Sequence, residues 1–320
     1  MPDVMTPGGR PVPVRQAPTA PRPVAPGAAK GPDLKLYNGG DKSTWCPGCG
    51  DFGILAAIKQ ALPGMGLYPH QVMLVSGIGC GSKLPHYMRA NGFNSIHGRS
   101  LPVAQGIKLA NHALKVITVT GDGDGYGIGM GHFMHLARRN VDITHIVENN
   151  QVYGLTKGQY SPTSERGYIS TFSPEGALEY AVNPILLAVA GGATFVARGF
   201  SGDIKQLVTL IQEAVKHPGY SLLDVLQPCV TYNKINTYEW YRERIYKLDE
   251  VEGGHDASSR DQAMRRAQEW GDKIPTGIIY QESGRPTYEE QVSALKAGPL
   301  ISQPIDGRQA DYEAIKNEFV

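Results

Sequence analysis

No apolar run in this chain reaches the roughly 18 residues that a membrane-spanning helix needs. Ile185–Ala197 comes nearest, and Gly191-Gly192 splits it into a helix end and the start of a strand. Net charge is nearly absent: 31 Lys+Arg against 30 Asp+Glu leave +1, which provides no electrostatic footprint for nucleic acid. The N-terminus has no signal-peptide-like apolar region, so reduced cysteines and a cytoplasmic location are expected, with no membrane partner. Aromatic residues are missing from Met1–Lys30, which holds eight of the 23 prolines. Such a segment cannot bury enough surface to offset its ordering entropy, and residues 1–33 are expected to form a disordered or extended arm. No internal repeat is found. Cysteine is scarce as well, with only four: Cys46, Cys49, Cys80 and Cys229.

What is present is a 320-residue chain with 41% hydrophobic residues, enough for one large α/β domain with extensions. Its most informative stretch runs from Gly121-Asp122-Gly123-Asp124-Gly125 to Asn149-Asn150. Lys115–Thr120 is an apolar, β-branched run bounded by glycine, which suits a buried parallel strand. Met130–Asn140 carries a helical pattern, and Ile143–Val147 is a second β-branched run. A strand-helix-strand crossover puts both strand ends on the same sheet edge, where open α/β folds bind ligands. Asp122 and Asn150 therefore converge, each offering an oxygen. Two hard oxygen ligands beside a glycine-rich loop with free N–H groups suit Mg²⁺ holding a diphosphate.

Helices are also expected over Phe52–Leu62, stopped by Pro63-Gly64, and over Leu101–Leu114, opened by Pro102. A third carries Ile204, Leu207, Val208, Ile211 and Val215 on one stripe, capped by Asp203 and ended at His217-Pro218-Gly219. Cys80 follows the strand pattern Val72–Ser76, and Cys229 follows Tyr220–Leu226, so all four cysteines can gather at one sheet edge. Four thiolates fit Zn²⁺ or an iron–sulfur cluster. The later cysteines lie 31 and 180 residues beyond Cys49, which favours a cluster built into the fold over a self-contained zinc module. Trp45-Cys46-Pro47-Gly48-Cys49 also resembles a redox dithiol motif, but a polar, turn-rich segment precedes it where that motif needs a strand. Taken singly, Cys80 and Cys229 read as small buried hydrophobes.

Residues 121–154 resemble the diphosphate-binding motif of thiamine diphosphate enzymes. Joined to the four cysteines, the chain resembles the β subunit of 2-oxoacid:ferredoxin oxidoreductases. The likeness runs from about Leu36 to Tyr246 through W-C-P-G-C-G-D-F-G, G-I-G-C-G-S-K, H-G-R-S-L-P-V-A-Q-G-I-K-L-A-N, G-D-G-D, E-N-N-Q-V-Y-G-L-T-K-G-Q-Y-S-P-T and T-Y-N-K-I-N. Within that family it is most similar to the 2-oxoglutarate enzymes; pyruvate or a branched-chain 2-oxo acid is the alternative substrate.

The resemblance implies a thiamine-diphosphate-binding fold over residues 34–231, with a mostly parallel sheet, helices on both faces and a C-terminal extension. It implies thiamine diphosphate, Mg²⁺ and a [4Fe–4S] cluster as cofactors, and coenzyme A as co-substrate. The cofactor serves as the electron sink for loss of CO₂, the cluster takes electrons singly for ferredoxin, and coenzyme A accepts the acyl group. Mg²⁺ would be held by Asp122, Asn150 and the carbonyl of Val152, and the cluster by Cys46, Cys49, Cys80 and Cys229. Gly121, Gly123, Asp124, Gly154 and Leu155 would flank the diphosphate end, and Ile78, Gly79, Cys80 and Gly81 the thiazolium end. His97 is the expected acid/base group and Lys83 the substrate-carboxylate partner, with Arg99 and Lys157 as further cations. The glutamate that activates the aminopyrimidine would come from a partner α subunit, with Glu148 structural, so activity is expected only as an αβ pair or a dimer of such pairs. Residues 232–320 turn charged, with aromatic anchors and only Ile278-Ile279-Tyr280 reading as strand, and are expected to pack along the partner. A non-oxidative thiamine enzyme has no use for four cysteines, whereas a zinc-stabilised binding or scaffold protein would use the sulfurs without the cofactor motif.

Overall fold

The computed structural model describes residues 31–303 and 309–318; residues 31–303 form one unit, and the helix Gln309–Asn317 belongs to another. The arm expected over residues 1–33 lies almost wholly outside the described residues.

The chain first builds helix α1 (Asp51–Gly64), whose Ile54, Ala57, Ile58, Ala61 and Leu62 are all buried. It continues through Pro63 rather than stopping before it, because the amides of Met65 and Gly66 still close the last turn. Strand β1 (Val72–Ser76) and the short β2 (Asn91–Asn94) follow, then α2 (Ser100–Ala110). Helix α2 is shorter than its sequence pattern: Asn111 leaves the helical conformation (φ −142°, ψ 84°) and its side chain accepts the amide of Ala113, a local turn that competes with another helical turn.

Strand β3 (Lys115–Gly121) leads into a π-helical turn over Gly123–Ile128 and α3 (Met130–Arg139), and β4 (Thr144–Asn149) returns beside β3. A two-residue ribbon, β5 (Val152–Tyr153) with β6 (Gln159–Tyr160), projects beyond β4. Helix α4 (Pro184–Gly191) ends at Gly192, whose φ of +90° is left-handed, and β7 (Phe195–Phe200) begins beyond it. Amphipathic α5 (Ile204–Lys216) is capped by Asp203 as its sequence indicates, and β8 (Ser221–Leu226) follows.

Beyond Cys229 the structure departs from the sequence reading. α6 (Tyr238–Arg242), β9 (Ile245–Lys247), α7 (Arg260–Ala267), β10 (Ile274–Gln281) and α8 (Tyr288–Gln291) continue the alternation, with α9 (Gln309–Asn317) in the separate unit. Strand β10 pairs antiparallel with β7 and parallel with β9, so residues up to 303 are part of the same unit as the sheet rather than an appendage. Pro275 and Gly277 break the apolar pattern of β10, and polar α7 buries little besides Ala263 and Ala267.

The main sheet has the order β2-β1-β3-β4-β8-β7-β10-β9, with the first six strands parallel. One face packs on α1 and α5, where Leu207, Leu210 and Ile211 meet Ile117, Ile146 and Leu223. The other packs on α2, α3 and α4, where Phe133, Leu136 and Ile185 meet Val116, Val147 and Val196. Each large aliphatic side chain so buried contributes about 1.5–3 kcal/mol. The carboxyl ends of β1, β3, β4 and β8 therefore share one edge, followed at once by Gly77, Asp122, Asn150 and Gln227. No described helix is long and apolar enough to cross a membrane.

Candidate active site

Two adjoining cavities open at that edge. The first, of about 210 Å³, is lined by Ile78–Gly81 after β1, by Gly121–Asp124 after β3, and by Asn150 and Val152–Leu155 after β4, with His97 at its side. A Cβ at Gly121 would meet no protein atom within 4 Å, so the backbone there is bare towards the cavity. The second, of about 180 Å³, is lined by Cys46, Cys49, Cys80 and Cys229, with Trp45 and Lys83. Cys80, Asn150, Gly154 and Leu155 line both. A Cβ at Gly154 would lie 3.4 Å from Cys80 Sγ and 3.8 Å from Cys229 Sγ, so the wall between the cavities is one glycine thick there.

Asp122 is buried, and its Oδ2 accepts hydrogen bonds from Ser161 Oγ and Thr163 Oγ1, each at 2.5 Å. Burial pushes its carboxyl up to about 6 despite these donors. The amide oxygen of Asn150 accepts the N–H of Val152 at 3.1 Å, holding the side chain at the turn after β4. Asp122, Asn150 and Val152 all line this cavity beside bare glycine backbone, and their carboxylate, amide and carbonyl oxygens are of the hard type that fits Mg²⁺ and a diphosphate.

Beside His97 and the loop after β1, Asp124 Oδ1 accepts from the amides of Gly98 at 2.7 Å and Ile78 at 3.2 Å, and meets His97 Nδ1 at 2.7 Å. Burial raises the Asp124 carboxyl, and these three donors oppose the rise. Tyr153 crosses the cavity and donates to the carbonyl of Gly123 at 3.1 Å.

The second cavity gathers all four cysteines at different depths. Cys49 is buried, Cys80 and Cys229 are half-buried, and Cys46 is exposed. Burial and the charge of Asp51 push the Cys80 thiol up to about 11, with the charges of Cys229 and Cys46 adding to the rise. Among the described residues no group of three or more Cys, His, Asp or Glu side chains is arranged round a single point. Sulfurs from all four cysteines border this one cavity.

Of the residues singled out in the sequence, Ile78, Gly79, Cys80, Gly81, His97, Gly121, Asp122, Gly123, Asp124, Asn150, Val152, Gly154 and Leu155 all border the first cavity. Lys83 borders the second, its ammonium donating to Thr44 Oγ1 at 3.2 Å. Two do not reach either cavity: Arg99 pairs with His132, and Lys157 is exposed, held at φ +78°. Glu148, read as structural, is buried and borders the first cavity, where a Cβ on Gly81 would collide with its carboxyl at 1.8 Å. Burial and the neighbouring charge of Asp51 raise its pKa well above the usual carboxylate range. Tyr153, Ser161 and Thr163 join the site from within the E-N-N-Q-V-Y-G-L-T-K-G-Q-Y-S-P-T stretch, where no role is assigned to them singly, and Gln227 joins it from outside every motif.

Comparison with known proteins agrees with this geometry. Residues 70–225 match the family model described as thiamine pyrophosphate enzyme, C-terminal TPP binding domain. Residues 229–297 match the model for the C-terminal part of the pyruvate ferredoxin oxidoreductase β chain. The 2-oxoacid:ferredoxin oxidoreductase subunit beta of Saccharolobus solfataricus is 49% identical over 270 residues, covering 81% of this chain and 88% of that protein. The 2-oxoglutarate oxidoreductase subunit KorB of Mycobacterium tuberculosis is 43% identical over 199 residues, covering 62% of this chain and 53% of that one. A solved structure, the 2-oxoglutarate:ferredoxin oxidoreductase of Magnetococcus marinus with 2-oxoglutarate, coenzyme A and succinyl-CoA bound, superposes with a TM-score of 0.81. It is 35% identical and covers 88% of this chain and 95% of its own.

Proposed function

Because the chain belongs to the 2-oxoacid:ferredoxin oxidoreductase β-subunit family, we propose that it acts in the coenzyme A-dependent oxidative decarboxylation of 2-oxoglutarate, or the reverse carboxylation. Written oxidatively, 2-oxoglutarate and coenzyme A give succinyl-CoA, CO₂ and a proton, with two electrons leaving singly through a [4Fe–4S] cluster to two ferredoxins. The observation that carries this reading is the shared wall: Cys80 and Gly154 belong to both the cofactor cavity and the four-cysteine cavity. A decarboxylase that kept its electrons would need no such adjacency. The KorB name of one relative and the bound 2-oxoglutarate of the solved neighbour support the choice of substrate.

Thiamine diphosphate, when bound, supplies the thiazolium electron sink that lets a 2-oxo acid lose CO₂. The chain's own residues bind and orient. Asp122, Asn150 and the Val152 carbonyl would hold Mg²⁺, and the glycine backbone from Gly121 would cradle the diphosphate. His97, with Nδ1 turned to Asp124, keeps Nε2 for the acid/base role. Lys83, three residues beyond Cys80, is the cation proposed for a substrate carboxylate; Arg99 and Lys157 would need to swing in. Exposed Ile78, Ile96, Ile128 and Leu155, the first and last of which border the cavity, suit coverage by an α subunit that completes the site.

The test is co-expression with the α partner, then ferredoxin or viologen reduction across a panel of 2-oxo acids with coenzyme A. Coenzyme A-dependent reduction with 2-oxoglutarate preferred is expected. Preference for pyruvate or branched-chain acids would move the substrate within the family. Purified complex carrying zinc and no iron would overturn the electron-transfer reading altogether.

A further inference from the structure

We infer that Gln227 is a positioning residue that sets the reduction potential of the cluster by donating a side-chain N–H to Sγ of Cys49. The inference rests on the cluster reading above and goes beyond the identity of its ligands.

Gln227 is fully buried and lies one residue past β8, two before Cys229. Its backbone N–H donates to the carbonyl of Asn149 at 2.9 Å, tying it to the end of β4. The side-chain Nε2 stands 3.3 Å from Cys49 Sγ and 3.1 Å from the carbonyl oxygen of Pro228. These two contacts decide which way round the amide sits. A backbone carbonyl only accepts, so the NH₂ end must face Pro228, and its second hydrogen then points to the sulfur. Among the described residues this is the only side-chain N–H bonded to a cysteine sulfur.

The close approach is built in. A Cβ at Gly50, the residue after Cys49, would lie 2.8 Å from Gln227 Cγ and 3.1 Å from Nε2. It would also lie 2.8 Å from Ser201 Oγ, so a larger residue at position 50 would force the Gln227 amide or the Ser201 hydroxyl to shift. The arrangement also has a cost, since Oε1 of Gln227 is buried with no donor. An apolar side chain of the same shape would fill the space without stranding that oxygen. The amide is therefore explained by what its N–H does.

A ligand sulfur carries more negative charge when the cluster is reduced. A fixed N–H dipole in a buried setting stabilises that state more than the oxidised one and raises the potential. The step concerned is the gain of one electron by [4Fe–4S]²⁺ to give [4Fe–4S]⁺, with no bond made or broken and the electron supplied by dithionite through mediators.

The experiment uses the purified αβ complex of wild type, Gln227→Leu, Gln227→Met and Gly50→Ala. Iron and sulfide are quantified, and potential is read by titration followed by electron paramagnetic resonance. Variants with full iron are expected to be reduced less readily, with the equilibrium constant against a given mediator falling about tenfold, or about 59 mV for one electron. Unchanged potential in fully loaded Leu and Met variants would overturn the inference. So would lost iron with the residual cluster titrating as in wild type, which would make Gln227 merely structural. A wild-type complex without iron or sulfide would instead sink the cluster reading itself, and this inference with it.

Discussion

Nδ1 of His97 lies 2.7 Å from Oδ1 of Asp124, and that oxygen also takes the amide hydrogens of Gly98 and Ile78. A carboxylate so placed fixes the imidazole with hydrogen on Nδ1 and Nε2 free, and anchors the loop carrying His97 to the loop after β1. Asp124→Asn keeps the size and can keep an oxygen on all three donors, but removes the charge that faces the imidazole and places NH₂ where Oδ2 has no partner. We expect kcat to fall with little change in the thiamine diphosphate dissociation constant. His97→Ala should fall further, by about 10²-fold or more. Parallel loss of cofactor binding in Asp124→Asn would assign the aspartate to the cofactor cradle instead.

Ser161 and Thr163 form the second support, both donating to Oδ2 of Asp122 and leaving Oδ1 without a side-chain donor. Outer partners of a metal-binding carboxylate typically affect affinity by about 10–100-fold. Thr163→Val preserves shape and removes one donor. Titration of the substrate-free complex with thiamine diphosphate at fixed Mg²⁺, read by intrinsic fluorescence, should give weaker binding within that range. Unaltered binding would mean that Ser161 alone orients the aspartate.

That loop marks where legibility in the sequence ends. Strands such as Val72–Ser76 and Lys115–Gly121 are visible because parallel strands buried on both faces read as continuous apolar runs. Asp122, Asn150, Cys80 and Cys229 can be placed at one edge because each follows such a run within a few residues. Ser161 and Thr163 sit in an irregular segment between β6 and α4, where no periodicity exists and long-range folding alone brings them to Asp122. Gln227 reads as a spacer before Pro228-Cys229, since nothing local foretells a contact with a residue 178 positions earlier. Arg99 fails the other way: it follows His97 closely, yet its side chain turns towards α3 and His132.

Lys83 separates substrate binding from cluster assembly. Its ammonium donates to Thr44 on the cysteine cavity, and its backbone N–H caps onto the carbonyl of Cys80. If it meets a substrate carboxylate across the shared wall, Lys83→Ala should raise KM for dicarboxylic 2-oxo acids more than it lowers iron content. Comparing 2-oxoglutarate with 2-oxobutyrate sharpens the test, because only the former carries a second carboxylate. Equal loss of turnover and iron would make the lysine a support for the cluster loop.

His145 predicts how the fold responds to acid. It is buried in β4, with Nε2 2.9 Å from Thr120 Oγ1 and Nδ1 2.9 Å from the Tyr220 hydroxyl, and burial pushes its pKa down to about 3. In the unfolded chain a histidine takes up its proton near pH 6.5 (about the ordinary value), so below that pH the unfolded state binds one proton more than the native state. The stability due to keeping His145 neutral is thus complete above about pH 6.5 and declines by about 1.4 kcal/mol per pH unit down towards the folded value. His145→Gln retains a polar group in the strand and cannot titrate. Urea unfolding of the complex between about pH 5 and pH 8 should show the variant less stable at the alkaline end but with a shallower acid slope, by close to one proton. Identical slopes would mean that His145 is already protonated in the native protein, and that Tyr220 and Thr120 then serve as acceptors to an imidazolium.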